Sequence, residues 1–351
     1  MSGHERTEWI VGIIDTPAGG VPRAGTRPGF RDRLSEVRVR WGIGRMSYAV
    51  SPGLYAAGNP SMGSPVLVTA SYKMSFDRVR GSLEGRDAWI LVLDTKGVNV
   101  WCAAGKGTFG TDELCRKIKS TRLEEIVSHR DLIVPQLGAT GVSAHRVREL
   151  CGWRVRFGPV RSKDIPAYLD SGMKASPEMR QVRFTIADRL VLVPVDLVPG
   201  LKRLFLPALF FVLFSGLGRD GYSAQRIMSS GARSALLLLA GLMAGGVLSP
   251  LLLPWIPGRA FSVKGAFAGT FLVVLMIVPG LPGPGIFGSW LEAGTWLLIV
   301  GAVASFFAMN FTGASTYASP SGVRREMRYA VPAQVAAASA GLLGWVVARF
   351  V

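Results

Sequence analysis

Charge is distributed very unevenly along the chain, and this constrains its fold more than any other feature. Residues 201–351 contain 11 Lys and Arg and three Asp and Glu, which is less than half the charge density of residues 1–200. Four stretches in that half carry no charge, and each can supply the roughly 20 residues that a helix needs to cross hydrocarbon. These stretches are residues 234–258, 265–291, 293–323 and 329–348. The sequence therefore predicts a soluble domain followed by an all-α polytopic transmembrane domain.

A shorter, Phe-rich stretch at residues 204–218 adds a fifth candidate span. We expect about five transmembrane helices, near residues 204–218, 234–256, 266–283, 293–311 and 330–349. With the N-terminus inside and the C-terminus outside, the basic loops at 259–264 and 324–328 lie in the cytoplasm, as the positive-inside rule favours. The three arginines between the first two spans fall outside, against that rule.

The formal net charge of +17 raises the question of nucleic-acid binding. About half of the excess lies in the membrane half, where Lys and Arg favour the cytoplasmic side and anionic headgroups. The sequence contains no recognition-helix pattern, zinc-finger spacing or basic run. We therefore expect no nucleic-acid partner.

The three cysteines, Cys102, Cys115 and Cys151, are too few and too widely spaced for a disulfide framework. Without a Cys-x-x-Cys pair, an iron–sulfur cluster or structural zinc held by this chain is not expected. The first residues, MSGHERTEW, lack the apolar stretch of a signal peptide. We expect the soluble domain to stay in the reducing cytoplasm with free thiols.

Apolar strand-like runs alternate with helix-like segments in the first half of the chain. We expect strands at 65–70, 88–94, 131–135 and 153–157, and helices at 76–83, 113–129 (one or two), 144–151 and 163–170. This alternation predicts a Rossmann-like α/β domain with a mainly parallel sheet. The expected division is an irregular lead-in at 1–60, the α/β domain at 61–198 and the transmembrane domain at 199–351. Residues 183–198 could finish the sheet or form a juxtamembrane segment.

A cysteine motif follows the strand-like run at 88–94. Asn99 is a preferred helix N-cap, and counting from it puts Cys102 in the first helical turn, where the helix dipole favours a thiolate. Lys106 lies four residues later on the same face and adds positive charge. Gly105 and Gly107 end the helix early and allow a flat ligand to approach the backbone. The pattern predicts a thiolate beside a planar partner.

Other interpretations of this motif stay open. Cys102 could be a buried structural cysteine, since free cysteines are among the most buried residues. It could be a nucleophile, which needs a base, and the sequence has only His4, His129 and His145 to offer. Lys106 could be a solvated charge, and the pattern favours packing for Trp101.

A second loop, residues 136–142, follows a predicted strand and contains Gly138, Thr140 and Gly141. It could face a cofactor, because open α/β sheets bind ligands at the carboxyl ends of their strands. Glycine-rich loops of this kind are also common as simple turns.

The motif NVWCAAGK at 99–106 closely resembles the signature NVWCA(A/G)GK of the corrinoid protein family of microbial mercury methylation (HgcA-type). Six further segments resemble the corrinoid domain of the related corrinoid iron–sulfur protein family: residues 48–55, 64–69, 72–77, 88–96, 106–111 and 135–142. Residues 311–317 and 321–323 also resemble the mercury-methylation family. The chain lacks the iron–sulfur cysteine cluster and barrel domain of the acetyl-CoA-pathway members, and it carries a membrane domain instead. Ser71 replaces the Asn of the family's usual TANYK run.

The resemblance implies a cobalamin-dependent methyltransferase that passes a methyl group from methylcobalamin to Hg(II) and yields methylmercury. Cys102 would be the lower axial ligand of the corrinoid cobalt. The other cofactor-binding residues that we expect are Asn99, Val100, Trp101, Ala103, Ala104, Gly105, Lys106, Thr69, Gly138, Thr140 and Gly141. Implied partners are a ferredoxin-like protein with two iron–sulfur clusters and a methyl-folate-dependent donor system. The implied location is the cytoplasmic membrane, multi-pass, with the corrinoid domain in the cytoplasm.

Two other functions remain open. The chain could be a corrinoid methyl carrier that serves another acceptor. It could also be a membrane transporter or corrinoid-uptake component, which predicts ionisable residues inside the spans. Only Lys264 and Glu292 lie near the ends of the expected spans, which counts against coupled transport.

Overall fold

The computed structural model of the chain describes residues 8–277, 285–313, 315 and 318–351. The chain forms two compact units, Met1–Val39 with Ile43–Val182 (unit 1) and Arg40–Gly42 with Arg183–Val351 (unit 2). The observed boundary precedes the expected one at residue 198. Residues that could have finished the sheet are helical instead, because Thr185 and Asp188 form a capping box that starts a helix.

Unit 1 is built on a seven-stranded sheet, counted over the described residues. Its strands are β1 Ile10–Thr16, β2 Gly19–Ala24, β3 Gly53–Ala57, β4 Val66–Ala70, β5 Ala88–Leu93, β6 Asp131–Val134 and β7 Arg154–Phe157. They lie in the order β1-β2-β3-β5-β4-β6-β7. The pairs β2–β3, β4–β5, β4–β6 and β6–β7 are parallel, and the pairs β1–β2 and β3–β5 are antiparallel. The sheet is mostly parallel, as the strand–helix alternation predicts.

The helices of unit 1 cover both faces of this sheet. They are α1 Phe30–Arg40, α2 Lys73–Ser82, α3 Val100–Lys106, α4 Thr111–Ser120, α5 Leu123–Ile126, α6 Ala144–Cys151, α7 Ile165–Asp170 and α8 Pro177–Arg180. Short 3₁₀ turns occur at Arg45–Ser47, Gln136–Gly138 and Ser162–Asp164. The segment expected at 113–129 is two helices, α4 and α5.

The connections that follow β4 and β5 cross opposite faces of the sheet. The connection from β4 to β5 passes through α2 on one face, where Phe76 packs with Leu67 and Ile90. The connection from β5 to β6 passes through α3 to α5 on the other face, where Ala103 and Leu114 join Val68 and Leu91 in one core. Because β5 and β6 flank β4, the carboxyl ends of these three strands form a topological switch point, where open α/β sheets bind ligands.

Residues 1–60 differ from the irregular lead-in that the sequence predicts. In their described part they contribute β1, β2 and β3 to the sheet, together with α1. Strands β1 and β2 form an antiparallel hairpin, with Thr16 opposite Gly19. Since β1 lies at the sheet edge and its residues alternate between exposed and half-buried, it lacks the continuous apolar run that marks the inner strands.

In its described residues, unit 2 is helical apart from a short hairpin, β8 Leu217–Gly218 with β9 Gly221–Tyr222. Its helices are α9 Ile186–Leu190, α10 Val193–Phe214, α11 Ala224–Arg226, α12 Ala232–Met243, α13 Ser249–Leu251, α14 Phe261–Ile277, α15 Trp290–Asn310 and α16 Pro320–Val347. The π-helical turns Ile227–Gly231 and Ala244–Leu248 join α11, α12 and α13, and a 3₁₀ turn at Phe311–Gly313 follows α15.

Within the described residues, four helical segments are long and apolar enough to cross a membrane. They are Ile186–Phe214, Ala224–Leu251, Trp290–Gly313 and Ser321–Val347. A shorter apolar helix, Phe261–Ile277, corresponds to the expected span at 266–283, whose end lies outside the described residues. Four of the expected spans therefore correspond to helices of sufficient length.

Helix α15 is the central helix of unit 2, since residues along its whole length are buried. Helix α14 approaches it closely at Gly265 and Gly269, where an added Cβ would come within 2.4 and 2.6 Å of atoms of Ala304. Such small-residue contacts at a four-residue spacing are the usual way for apolar helices to pack in lipid.

The buried charges of unit 2 have polar partners. Lys264 donates to the carbonyl oxygens of Leu253 (2.8 Å) and Ile256, and Glu292 accepts from Arg233 (2.8 Å) and Arg349 (2.7 Å). The first membrane-type helix begins earlier than expected and therefore contains the exposed pair Lys202 and Arg203. The expectation that charged residues lie only near the ends of the spans is therefore wrong for this helix. Long basic side chains such as these can extend along a helix toward the membrane–water interface.

Candidate functional site

Helix α3, which carries Cys102, begins directly after the loop from β5. Asn99 is its N-cap, and its side-chain Oδ1 accepts a hydrogen bond from the Cys102 backbone N–H at 2.9 Å. Gly107 ends the helix in the left-handed region at φ 81°. The cap predicted from the sequence thus fixes the first turn through the backbone of the cysteine itself. Gly105 lies inside the helix rather than ending it.

The two faces of α3 differ sharply. Val100, Ala103 and Ala104 are buried against the sheet. The opposite face exposes Trp101, Cys102, Gly105 and Lys106. The buried-cysteine interpretation therefore does not apply to Cys102.

The exposed face of α3 is open and partly aromatic. A Cβ added at Gly105 would meet no atom within 4 Å. Trp101 is 36% exposed, so part of its indole faces solvent on this surface. Lys106 is exposed, as the solvated-charge interpretation expects. A thiol, an indole and an ammonium group share this open surface.

The loop after β6 packs against the end of α3. A Cβ at Gly141 would lie 2.2 Å from the Phe109 carbonyl oxygen and 3.0 Å from the Ala104 Cα. A Cβ at Gly138 would lie 2.5 Å from the Phe109 ring. These two glycines are therefore required by the contact between the loops, whereas Thr140 between them is exposed. The structure brings both predicted loops together at one edge of the sheet.

Ser71 holds the loop that leads into α3. Strands β4 and β5 are parallel and in register to Ala70 and Leu93, so Ser71 leaves its strand at the same level as Asp94. The buried Ser71 hydroxyl accepts from the backbone N–H groups of Thr95 and Gly97, both at 3.2 Å, and lies 3.1 Å from the Thr95 hydroxyl. Ser71 has a positioning role that single-sequence reasoning missed, because that role depends on the pairing of two strands.

Two carboxylates fix the other side of the same loop. Buried Glu113 on α4 accepts from the Asp94 backbone N–H at 2.7 Å and pairs with Arg116. The Asp94 carboxylate accepts from the Lys96 ammonium group at 2.6 Å. This hydrogen bond lowers the pKa of Asp94 below its ordinary value against the opposing effect of burial. The loop between β5 and α3 is therefore tied to both neighbouring elements.

Thr69 does not join this group. Its neighbours Val68 and Ala70 belong to the core beneath α3, and successive strand residues point to opposite faces of a sheet. Thr69 is buried on the face that α2 covers, with Leu67. Thr69 therefore lies on the sheet face opposite to α3, and its contact with a cofactor stays a prediction.

The other thiols and the described histidines lie in different surroundings. Cys115 is buried, and burial together with a hydrogen bond to Cys151 raises the pKa of its thiol to about 12. His129 lies at the start of β6, at the opposite edge of the sheet, 2.9 Å from the Ser64 carbonyl oxygen. His145 pairs with Glu149 at 3.0 Å. Over the described residues, neither histidine forms a hydrogen bond with the Cys102 thiol; His4 lies outside them.

Comparison with known proteins links this part of the chain to corrinoid proteins. The family model described as the CO dehydrogenase/acetyl-CoA synthase delta subunit matches residues 43–169. The acetyl-CoA decarbonylase/synthase complex subunit gamma of Methanopyrus kandleri is 36% identical over 123 residues, which are 34% of this chain and 26% of that protein. The corresponding subunit of Methanothermobacter thermautotrophicus is 36% identical over 128 residues, 36% of this chain and 28% of that protein.

The corrinoid/iron-sulfur protein large subunit of Moorella thermoacetica is 29% identical over 121 residues, 34% of this chain and 27% of that protein. The chain thus spans about a quarter of the length of the curated relatives that it matches. The matched residues lie in unit 1 and include β3 to β7 and α3. Residues 43–169 are related in sequence to the corrinoid iron–sulfur proteins, and unit 2 lies outside that relationship.

Proposed function

We propose that unit 1 binds a corrinoid at the carboxyl ends of β4, β5 and β6, with the Cys102 thiolate as a ligand to its cobalt. The observation that carries this proposal is the exposed Cys102 on the Asn99-capped helix, inside the region related to corrinoid proteins. Trp101, Gly105, Lys106 and Thr140 border the same edge and would contact the group.

The residues present fit such a group. A corrinoid brings most of its own metal ligands, so the protein needs to supply one donor, and one exposed thiol is available. Over the described residues, no three His, Cys, Asp or Glu side chains lie together as metal ligands. The open surface over Gly105 allows a flat ring to approach the helix.

The remaining residues of the motif hold this surface in place. Val100, Ala103 and Ala104 anchor the buried face of α3, and Gly138 and Gly141 allow the second loop to pack against it. Asn99 fixes the backbone of Cys102, and with it the position from which the thiol projects.

We further propose that the protein is a methyltransferase that delivers a methyl group to Hg(II), giving methylmercury. The bound cofactor would supply a cobalt-held methyl group, while the protein supplies the ligand and the surroundings. Because Hg(II) is a soft electrophile, the methyl group would have to be transferred from the cofactor together with electron density from its bond to cobalt. An anionic sulfur ligand increases electron density at the metal, as it does in thiolate-ligated haem. The NVWCAAGK motif, which resembles the mercury-methylation family, and the membrane-type helices support this acceptor over that of a carbon-fixation carrier.

The proposal includes three partners. A ferredoxin-like protein with two iron–sulfur clusters would return the cofactor to its reduced state, and a methyl-folate-dependent system would supply the methyl group. The third partner is the cytoplasmic membrane, which unit 2 would cross several times with unit 1 in the cytoplasm.

An absorption spectrum of the purified full chain tests corrinoid binding, and Cys102→Ala tests the ligand. We expect the wild type to carry a corrinoid spectrum that Cys102→Ala changes or loses, with methylation of Hg(II) reduced more than about a hundredfold. Cys151→Ala, which changes a half-buried thiol elsewhere, is the matched control and should keep both. Normal methylation by Cys102→Ala would contradict the ligand assignment. A corrinoid spectrum without methylation of Hg(II) by the wild type, given both partner systems, would favour a carrier for another acceptor.

A cavity in unit 2 favours a second candidate function, passage of a substrate through the membrane unit. The cavity measures about 880 Å³ and lies between α14, α15 and α16. Its mostly apolar lining includes Thr270, Ser305 and Gln334, and the Gln334 amide donates to the Ser305 hydroxyl at 2.8 Å. If substrate passes here, Gln334→Leu should lower methylation by intact cells and leave methylation by the detergent-solubilised protein unchanged. Equal activity of this variant and the wild type in cells would remove this candidate.

A further inference from the structure

Helix α1 carries a row of large apolar side chains that are exposed. Phe30, Leu34 and Val37 are 79%, 47% and 51% exposed. Their i, i+4, i+7 spacing places them on one face of the helix. Trp41, the first residue after the helix, continues the spacing and is also exposed. We call Phe30, Leu34 and Val37 the α1 stripe.

Arginines flank the α1 stripe on both sides. At about 100° per residue, Arg31 and Arg38 fall on one side of it and Arg33 on the other. All three are exposed. Arg31 pairs with Glu8, while Arg33 and Arg38 form no side-chain ion pair with any residue that the structure describes. Positive charge therefore borders the α1 stripe on both sides.

The opposite face of α1 is fixed to unit 1. Val39 is buried there. Asp32 accepts from the Lys73 ammonium group and the Arg80 guanidinium group of α2, both at 2.8 Å. Although burial raises the pKa of Asp32, these hydrogen bonds outweigh it and hold the pKa below its ordinary value, so the pairs stay charged at neutral pH. Because one face is anchored by charge pairs, the apolar face is held outward.

We propose that the α1 stripe lies in the surface of a membrane that contains anionic lipids. Exposed apolar side chains bordered by arginines suit a membrane interface, where the apolar residues enter the acyl-chain boundary and the arginines pair with anionic headgroups. The same chain carries four helices long and apolar enough to cross a bilayer, and a bilayer that held them would be tethered to unit 1 through the chain. This proposal needs unit 2 in a bilayer and does not depend on corrinoid binding.

Photocrosslinking of the full chain in lipid nanodiscs tests the proposal. The photoreactive residue p-benzoylphenylalanine replaces Leu34 in one variant and Leu150 in the control. Leu150 is a matched position, since it is a leucine on helix α6 of the same unit and is 50% exposed. Nanodiscs contain either phosphatidylcholine alone or phosphatidylcholine with phosphatidylglycerol. Mass spectrometry of the peptides detects lipid adducts.

We expect lipid adducts at position 34 at least about tenfold above those at position 150, with a higher yield when phosphatidylglycerol is present. In the phosphatidylglycerol discs, Arg33→Gln and Arg38→Gln should each lower the yield about fivefold, the effect of one basic residue near an anionic surface. Equal yields at both positions, or adducts only to protein at position 34, would overturn the proposal. If the Leu34 variant does not fold, the same probe at Val37 replaces it with the same expected result. Since no readout uses the cofactor, a negative result here leaves the proposed methyl transfer untouched, and the reverse also holds.

Discussion

Helices α3 and α4 contribute to the same core on one face of the sheet, and each carries a cysteine. In α3 the small residues Ala103 and Ala104 face the core, so Cys102 points to solvent. In α4 the core-facing residues are Leu114, Cys115 and Ile118, so the thiol itself is buried. The comparison teaches that the chemistry of each thiol is determined by which face of its helix it occupies.

The surroundings of these two thiols differ as much as their exposure. Cys102 lies in a first helical turn that Asn99 caps, beside exposed Lys106. Cys115 adjoins a second thiol, Cys151, and burial and that neighbour raise its pKa to about 12. Cys102 is therefore suited to bind a metal, and Cys115 behaves as a small apolar side chain.

The largest expected contrast is in the rates of alkylation by iodoacetamide. Burial raises the pKa of the Cys115 thiol and blocks access to its sulfur, whereas Cys102 is exposed, so the folded protein should react at Cys102 at least roughly a hundred times faster than at Cys115. Peptide mass spectrometry over time measures both rates. Cobalamin should slow the reaction at Cys102 and leave that at Cys151 unchanged. Similar rates at Cys102 and Cys115, or no protection by cobalamin, would contradict the roles assigned to them.

The next largest effect concerns the cap that fixes Cys102. Asn99→Ala should cost about 1 kcal/mol of stability yet lower methylation about tenfold or more, because the first turn then no longer directs the thiol. Asn99→Asp separates the two effects, since aspartate still caps but its charge opposes a nearby thiolate. Thermal unfolding and methylation are measured on the same preparations. Activity lost only in proportion to folded protein would make the cap purely structural.

A smaller effect is expected at Ser71, one step further from the thiol. Ser71→Ala leaves the N–H groups of buried Thr95 and half-buried Gly97 without their acceptor, which should cost about 1–3 kcal/mol of stability and lower corrinoid affinity. Ser71→Asn restores an acceptor and the residue usual in the related family. Thermal unfolding and titration with cobalamin measure the two quantities. If Ser71→Asn weakened binding more than Ser71→Ala, the serine would not act by holding this loop.

Much of the fold follows from short-range sequence signals. The continuous apolar runs of β4, β5 and β6 mark buried parallel strands, and the Asn99 cap is local enough to be predicted from the sequence. Helix α1 was not predicted, because its apolar row faces outward among arginines rather than toward a core. A prediction that expects the apolar face of a helix to pack against a core does not detect such a helix.

The site was less predictable where it depends on contacts distant in sequence. Ser71 lies 24 residues before Thr95 and reaches it only because β4 and β5 pair in parallel. Thr69 is two residues from Ser71 in a motif that resembles the family, yet strand alternation turns its side chain to the other face. The glycines of the second loop lie beside the end of α3, and a Cβ added to either would meet Phe109 or Ala104 first.

The short side chains on the buried face of α3 determine how closely the helix approaches the sheet. Ala103 and Ala104 separate the helix from the sheet by little more than a methyl group, and the Ala104 backbone touches the loop at Gly141. The height of the Cys102 sulfur above the strand ends is therefore set by residues on the far side of its own helix. A larger side chain at position 103, 104 or 141 would push α3 outward and move the Cys102 sulfur with it. A metal bound to that sulfur would then be displaced although every ligand atom was still present.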